Sequence, residues 1–445
     1  MSTKYSKVRF IGYTIPTTPA SMVPIGNPNG PGAVAGTYLA IDDFEQDVAA
    51  RIAVLKNAVD VAKAALPNDT PGSVLNLFVA PEFYFHGTQG PYIYADDAAD
   101  PVARIMEKLL AAFPPADYPD WSFVFGTAIS ARIARPGRVW ELNSVTTRNA
   151  VVEALSKQWL AAFGPLNDVI FDMLVNFIKN CHSYPVVEVR NRALIVSGVP
   201  LDTPAKTLDA SDMTTEKYYD SNEDFLLYEV TGKKDVVTEQ MTAYPQIDLT
   251  NGDLKHERYD KFAIFRQNYG TGNTPSYVDF AVEICLDHSD ARLRRNIDNE
   301  PFPKSTDRLH VQIIPSCGMQ IMPASVAADR NGFVFNCDGQ YGLDTTTGPQ
   351  AGTQGGVTCV YANYFLDGSV TSAYAGHTQL ARVQTPASGG DPNRKTSTNA
   401  TFATLDASSL TILQVPSIDP LASCFAGGAG AVHVYGLTTP FKVFP

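Results

Sequence analysis

No apolar run in this 445-residue chain approaches the ~18 residues that a membrane helix needs, and Met1-Ser2-Thr3-Lys4 opens it without the apolar core of a signal peptide. The expectation is a soluble, cytoplasmic protein with no membrane partner. Cysteine is sparse: Cys181, Cys285, Cys317, Cys337, Cys359 and Cys424 are scattered, with no CxxC pair. That argues against a disulfide framework or a cysteine zinc site and suits reduced thiols. His86, His182, His256, His288, His310, His377 and His433 form no HExxH and no close pair, so no metal site is expected. Positive charge is also short. The formal net charge is −12 and the pI about 5.0, which argues against nucleic acid and anionic membranes as partners. Internal repeats and heptads are missing too.

What is present is enough apolar residue, 44% of the chain, for a large core. Lys7–Ile15 reads as a first strand, and the Gly- and Pro-rich residues from Pro16 to Gly36 as a loop. Asp42–Leu66 carries Phe44, Val48, Ile52, Leu55, Val59 and Ala62 at helical spacing, and Pro67–Ser73 ends it. Val74–Ala80 is a continuous apolar strand, Asp100–Phe113 a second helix and Trp121–Ile129 a third strand. This alternation predicts an α/β layered fold. Trp140–Thr146 and Val186–Gly198 read as strands separated by an apolar-faced helical insertion over Glu153–Lys179, and Pro200–Met213 as loop. Leu309–Ser316 and Phe333–Cys337 are further strands, with a helix between them at Pro323–Asn331. From Gly348 onward Gly, Thr, Ser and Pro dominate, with short strands at Val357–Phe365, Gln379–Thr385, Leu410–Val415 and Ala431–Tyr435. The reading is a main domain over 1–345 with an insertion at 153–180, and an extension over 346–445 packed on it.

Three stretches carry chemistry. In the first, Phe280, Ala281, Val282 and Ile284 lead into Cys285, and a polar run from Asp287 to Arg295 follows. This is a buried strand leaving a thiol at its exit, both held and reachable. Taken alone, Cys285 reads as one more small core hydrophobe. The second is Pro81-Glu82 directly after an apolar strand, beside Phe83, Tyr84 and Phe85. A carboxylate among aromatics is the setting in which desolvation tunes a general base. The third is Lys217, ahead of Asp220, Glu223 and Asp224, an ammonium able to hold an oxyanion.

In that order, Ala80-Pro81-Glu82-Phe83, Thr215-Glu216-Lys217-Tyr218 and Glu283-Ile284-Cys285-Leu286-Asp287 resemble the motifs of the nitrilase-like carbon–nitrogen hydrolase superfamily. Val311-Gln312-Ile313-Ile314-Pro315-Ser316 resembles that family's strand after the nucleophile, and the resemblance runs roughly from Val8 to Gly342. It implies a four-layer α-β-β-α sandwich and a cofactor-free attack on an amide or nitrile carbon. Cys285 would be the nucleophile, Glu82 the base, and Lys217 with the Leu286 N–H the oxyanion donors. Glu223 would hold Lys217 or position substrate, and Tyr84, His86, Leu286 and His288 would line the substrate site. The resemblance also implies a homo-oligomer, and the apolar face of the insertion suits a dimer contact or a cover over the site entrance.

Two departures stand out. His288-Ser289-Asp290-Ala291-Arg292 replace the family's usual Arg-Phe-Pro-Glu-like continuation, and Lys206, Lys233 and Lys261 rival Lys217. The alternatives are a Cys–His hydrolase using His288, His310 or His433, and a non-catalytic α/β binding or scaffold protein.

Overall fold

A computed structural model describes residues 5, 7–17, 21–25, 33–88, 90–95, 100–134, 186–203, 206–217, 237–240, 264–269, 276–295, 309–339, 350–354, 357–361, 364–366, 369–371, 378–390, 392 and 395–443. The strand expected at 140–146, the insertion at 153–179, Glu223, Lys233 and Lys261 lie outside the described residues.

The first sheet is built on β1 (Lys7–Thr14), β2 (Val74–Ala80) and β3 (Trp121–Ala134), three parallel neighbours. Antiparallel β4 (Val186–Thr203) and β5 (Lys206–Glu216) extend it beyond β3. The second sheet centres on another parallel trio, β7 (Ser276–Val282), β8 (Val311–Ser316) and β9 (Phe333–Asp338), with β6 (Ile264–Tyr269) antiparallel on the β7 edge. One backbone pair, Arg266 with Asp202, joins β6 to β4 and links the two sheets at their margin. The Gly/Thr-rich C-terminal part completes both sheets. β10 (Thr378–Thr385) pairs with β9 and β11 (Thr401–Ala403) with β10, while β13 (Ala431–Tyr435) lies between β1 and β12 (Leu410–Gln414).

The sheets pack face to face. Phe10, Leu77, Val79, Val124 and Ile195 of the first meet Phe280, Val282, Ile313, Phe335 and Leu380 of the second in one buried cluster. The Phe10 ring lies 5.1 Å from Phe333 and 5.4 Å from Phe335, directly across the layer. Burial on both faces explains why β2, β8 and β9 are largely apolar rather than alternating, with Asn76, Gln312 and Asn336 among the buried polar exceptions. Each such apolar side chain contributes about 1.5–3 kcal/mol when fully buried.

Helices α1 (Phe44–Ala65) and α2 (Pro101–Ala112) cover the outer face of the first sheet. Asp43 caps α1 by accepting from the Gln46 N–H, and Val48, Ile52, Leu55, Val59 and Ala62 form its buried stripe. Asp100 caps α2 and also receives Arg192 of β4 at 2.5 and 2.7 Å, so the cap fixes the helix to the sheet. The outer layer on the second sheet is thinner. Among the described residues it consists of two single helical turns, α3 (Leu286–Ser289) and α4 (Arg292–Arg295), and the irregular chain from 317 to 332. The molecule is thus a mixed α/β fold, two apposed sheets flanked by helices. No described helix is long and apolar enough to cross a membrane.

Three local expectations change. The expected loop from Pro16 to Gly36 contains a two-stranded ribbon, Ser21–Ile25 against Ala33–Thr37. The expected loop Pro200–Met213 is the end of β4 and most of β5. The helix expected at Pro323–Asn331 is absent because its backbone is engaged elsewhere. Ala327 N donates to Gln312 Oε1, Asp329 N to the Leu309 carbonyl and Asn331 N to the Val383 carbonyl.

Candidate active site

The carboxyl ends of the two parallel trios meet, and the meeting point is made of main chain. Beyond β2, the Glu82 N–H donates to the Ser316 carbonyl at 3.3 Å. Beyond β7, the Cys285 N–H donates to the Pro315 carbonyl at 3.1 Å. The two residues therefore stand on consecutive carbonyls of β8, one reaching it from each sheet. Thr17 closes the corner, its hydroxyl donating to the Glu82 carbonyl and its N–H to the Gly339 carbonyl.

The Pro81–Phe85 turn is seated on a bulge in β3, where pairing with β4 shifts register between Val124 and Thr127. Phe83, held at φ 61°, donates its N–H to the Thr127 hydroxyl. Gly126 at φ 68° allows the close approach, since a Cβ there would stand 2.1 Å from the Pro81 carbonyl oxygen. Glu82 is buried as a result, and its Oε1 accepts from Lys217 Nζ at 2.9 Å and from Asn191 Nδ2 at 2.8 Å.

Lys217 follows β5 directly, and the alternation there explains its direction. Met213, Thr215 and Lys217 are buried, whereas Asp212, Thr214 and Glu216 are half-buried. The Lys217 N–H donates to the Asn191 carbonyl at 2.9 Å, extending the β4–β5 ladder to the site. Asn191 thus bonds the lysine through its backbone and the glutamate through its side chain.

Cys285 is the N-cap of α3 and has φ 47° and ψ −104°, a conformation that non-glycine residues rarely hold. Such strain costs on the order of 1–3 kcal/mol and persists where surrounding structure imposes it. Here the impositions are the Pro315 bond behind the residue and the α3 turn ahead, where His288 N donates to the Cys285 carbonyl. The thiol points toward the Cys317 carbonyl oxygen at 3.9 Å. Phe83 and Cys285 are two of the four non-glycine residues with positive φ among those described, and both flank this cluster.

Behind the cysteine, Arg292 of α4 is buried and uses one nitrogen for two bonds. It donates to Asp287 Oδ2 at 3.1 Å and to the Glu216 carbonyl at 2.9 Å. The turn that carries Cys285 is thereby tied to the residue preceding Lys217. Glu283, just before the cysteine, accepts from His288 Nδ1, Gln312 Nε2 and the Leu293 N–H, at 2.8, 2.6 and 2.7 Å.

Several candidate residues fall outside this cluster. His288 is buried with Nδ1 on Glu283 and Nε2 accepting from the Met322 N–H at 3.0 Å, so it fastens the loop after β8 rather than facing Cys285. That geometry also occupies both ring nitrogens a Cys–His pair would need. Tyr84 and His86 lie on the helical side of the first sheet. The Tyr84 hydroxyl donates to the Arg51 carbonyl, and His86 packs against Arg51 and the Tyr38 ring. Burial and the Arg51 charge hold the His86 imidazole well below its usual pKa. Burial pushes the Tyr84 phenol up. Leu286 opens α3 beside Cys285 and packs at the edge of the central core. Of the rival lysines, Lys206 starts β5 at the strand end remote from Lys217.

Asn191, Arg292 and Gly126 were not among the candidates read from the sequence. Asn191 is an isolated polar residue inside a long strand, and only strand pairing brings it to Lys217. A cleft of about 680 Å³ between the N-terminal parts of α1 and α2, lined by Phe44, Tyr92, Asp100 and Arg104, shares no residue with the cluster. Among the described residues, no three His, Cys, Asp or Glu side chains gather as metal ligands would.

No family model and no curated protein matches the chain. Solved structures do. One is a variant of the amidase from Nesterenkonia sp. AN1 showing Michael addition of acrylamide at its active-site cysteine (8% identity, 84% of this chain and 91% of that one, TM-score 0.23). Another is a cysteine-to-alanine mutant of the Nesterenkonia AN1 amidase from the nitrilase superfamily (8% identity, 86% and 92%, TM-score 0.28). The chain is similar to these nitrilase-superfamily amidases. With TM-scores below 0.5, that likeness carries none of the case for any residue. What the site can do rests on its own geometry.

Proposed function

We propose that the protein is a cofactor-independent thiol hydrolase of non-peptide carbon–nitrogen bonds, acting on a small amide or nitrile. The observation that carries this reading is the buried carboxylate of Glu82, bonded by Lys217, one β8 carbonyl away from a strained Cys285. A base, a cation and a nucleophile held by main chain from three different strands are the parts that acyl transfer through a thioester needs.

In this mechanism the Cys285 sulfur bonds to the amide or nitrile carbon while its proton passes to Glu82. Charge developing on the amide oxygen or nitrile nitrogen is met by the Lys217 ammonium and by the N–H of Leu286, the first residue of α3. For an amide, the C–N bond breaks as Glu82 returns the proton to the departing amine, leaving a thioester. Water attacks it, giving a proton to Glu82, and thiol and carboxylate are restored. Within the short α3 turn the Asp287 and His288 N–H groups donate to the Ile284 and Cys285 carbonyls, so the N–H assigned to the reacting atom is that of Leu286 alone. Arg292 keeps that turn and the lysine in register. Assembly of copies through the insertion at 153–179 belongs to the same proposal.

The test uses a panel of short aliphatic and aromatic amides and nitriles, with intact-mass and peptide mapping. Hydrolysis, with an acyl adduct on Cys285 trapped by acid quench during wild-type turnover and with both adduct and turnover lost in Glu82→Gln, is the expected result. Equal, slow alkylation of every thiol, with no adduct from any member of the panel, would instead point to a binding or scaffold protein.

A further inference from the structure

Asn191 stands out among the buried polar residues of the site. Its side chain is 1% exposed, and its Nδ2 donates to the same Glu82 oxygen, Oε1, that Lys217 Nζ occupies. Its own Oδ1 takes no hydrogen bond among the described residues. A buried amide oxygen without a donor is costly to stability, and such a group calls for a functional reason. The polarity of the amide is set by its neighbour, because only the NH₂ end can face a carboxylate that is accepting. The backbone of Asn191 is independently committed to the Lys217 N–H.

Resting on the hydrolase reading above, we infer that Asn191 is a positioning residue for proton transfer. By donating to Oε1 together with Lys217, it keeps Glu82 in its ionised form and turns Oε2 toward the Cys285 proton. Two charge-assisted donors on one oxygen make that oxygen the poorer base, so the proton exchanged with thiol, amine and water travels through the other. Asn191, approaching from the neighbouring strand, fixes the plane. Among the described residues, the titratable and charged groups tied to Glu82 or to its β8 anchor include Lys217 at the end of β5, the Cys285 thiol on the adjacent β8 carbonyl, and the Asp287–Arg292 pair behind the cysteine. None of them is removed by substitution at position 191.

The experiment measures the rate of Cys285 alkylation by iodoacetamide against pH, with peptide mapping, in the full chain and in Asn191→Leu and Asn191→Asp. Leucine keeps the volume and deletes the donor, whereas aspartate sets a second carboxylate against Glu82. Both should leave a folded protein, since the bond to Lys217 N is main chain. Both should move the acid limb of the profile to higher pH by about one to two units, the size expected for losing a hydrogen bond to a charged group. A residue that only packs would lower the unfolding midpoint and leave the limb in place. An unmoved limb in both variants, or failure of both to fold, overturns the inference. A wild-type Cys285 that alkylates no faster than a free thiol and shows no acid limb overturns the hydrolase reading itself, so the two failures are distinguishable.

Discussion

The ion pair between Lys217 and Glu82 offers the sharpest stability test, because both side chains are wholly buried. Two unit charges 2.9 Å apart at an effective dielectric constant of about 20 attract by about 6 kcal/mol. Desolvation of both groups takes back most of that. The net worth of the pair is therefore small, while the cost of breaking it from one side is large. Glu82→Gln leaves a buried ammonium facing a neutral amide, and Lys217→Met leaves a buried carboxylate with Asn191 as its remaining donor from this triangle. Each should lose about 3–5 kcal/mol. The double variant buries no charge there and should lose no more than either single one, giving a coupling energy of about 3 kcal/mol or more. Urea unfolding followed by circular dichroism, with linear extrapolation and matched slopes, measures all four corners of the cycle. Simple additivity, with the double variant losing the sum of the singles, would refute the claim that these side chains form one buried pair.

Three further outcomes follow from the geometry. Cys285→Gly should be more stable than Cys285→Ala by about 1 kcal/mol in the same unfolding assay, because φ 47° strains any side chain and glycine escapes it; the reverse order would remove the strained turn. Gly126→Ala should destabilise by about 2–4 kcal/mol and depress Cys285 reactivity, since its methyl would displace the Pro81 carbonyl and with it Glu82. At pH 8, iodoacetamide should spare Cys424, whose thiol burial pushes up to about 11, and Cys337, which burial pushes well above the usual thiol range. Peptide mapping that finds either labelled as fast as Cys285 would contradict this.

Elements whose own residues announce their burial were legible in the sequence. Val74–Ala80 and Ala431–Tyr435 appear with the boundaries their patterns imply, and both long helices end within two residues of the expected limits. β5 was not legible, since Lys206-Thr207-Leu208-Asp209-Ala210-Ser211-Asp212 is mostly polar, with only Leu208 and Ala210 apolar, and its inward alternation rests on Met213, Thr215 and Lys217. The residues 323–331 have the composition of a helix start, but tertiary acceptors on β8 and β10 claim their N–H groups. At the site, Glu82 and Cys285 were visible because each ends an apolar strand. Asn191 was invisible because its meaning lies in a partner 109 positions away. His288 drew notice for its nearness to Cys285 in sequence, but α3 turns it to the far side, onto Glu283.

The anchoring of Glu82 and Cys285 to the Ser316 and Pro315 carbonyls has a consequence for how such a protein can change over evolutionary time. A spacing set by side chains is lost when those side chains drift. This one is inscribed in the peptide units of a single strand, which every substitution preserves so long as β8 stays paired. Mutation is thus free to rewrite the loops that rise beyond the strand ends, while the spacing between the Glu82 and Cys285 backbones is inherited unchanged.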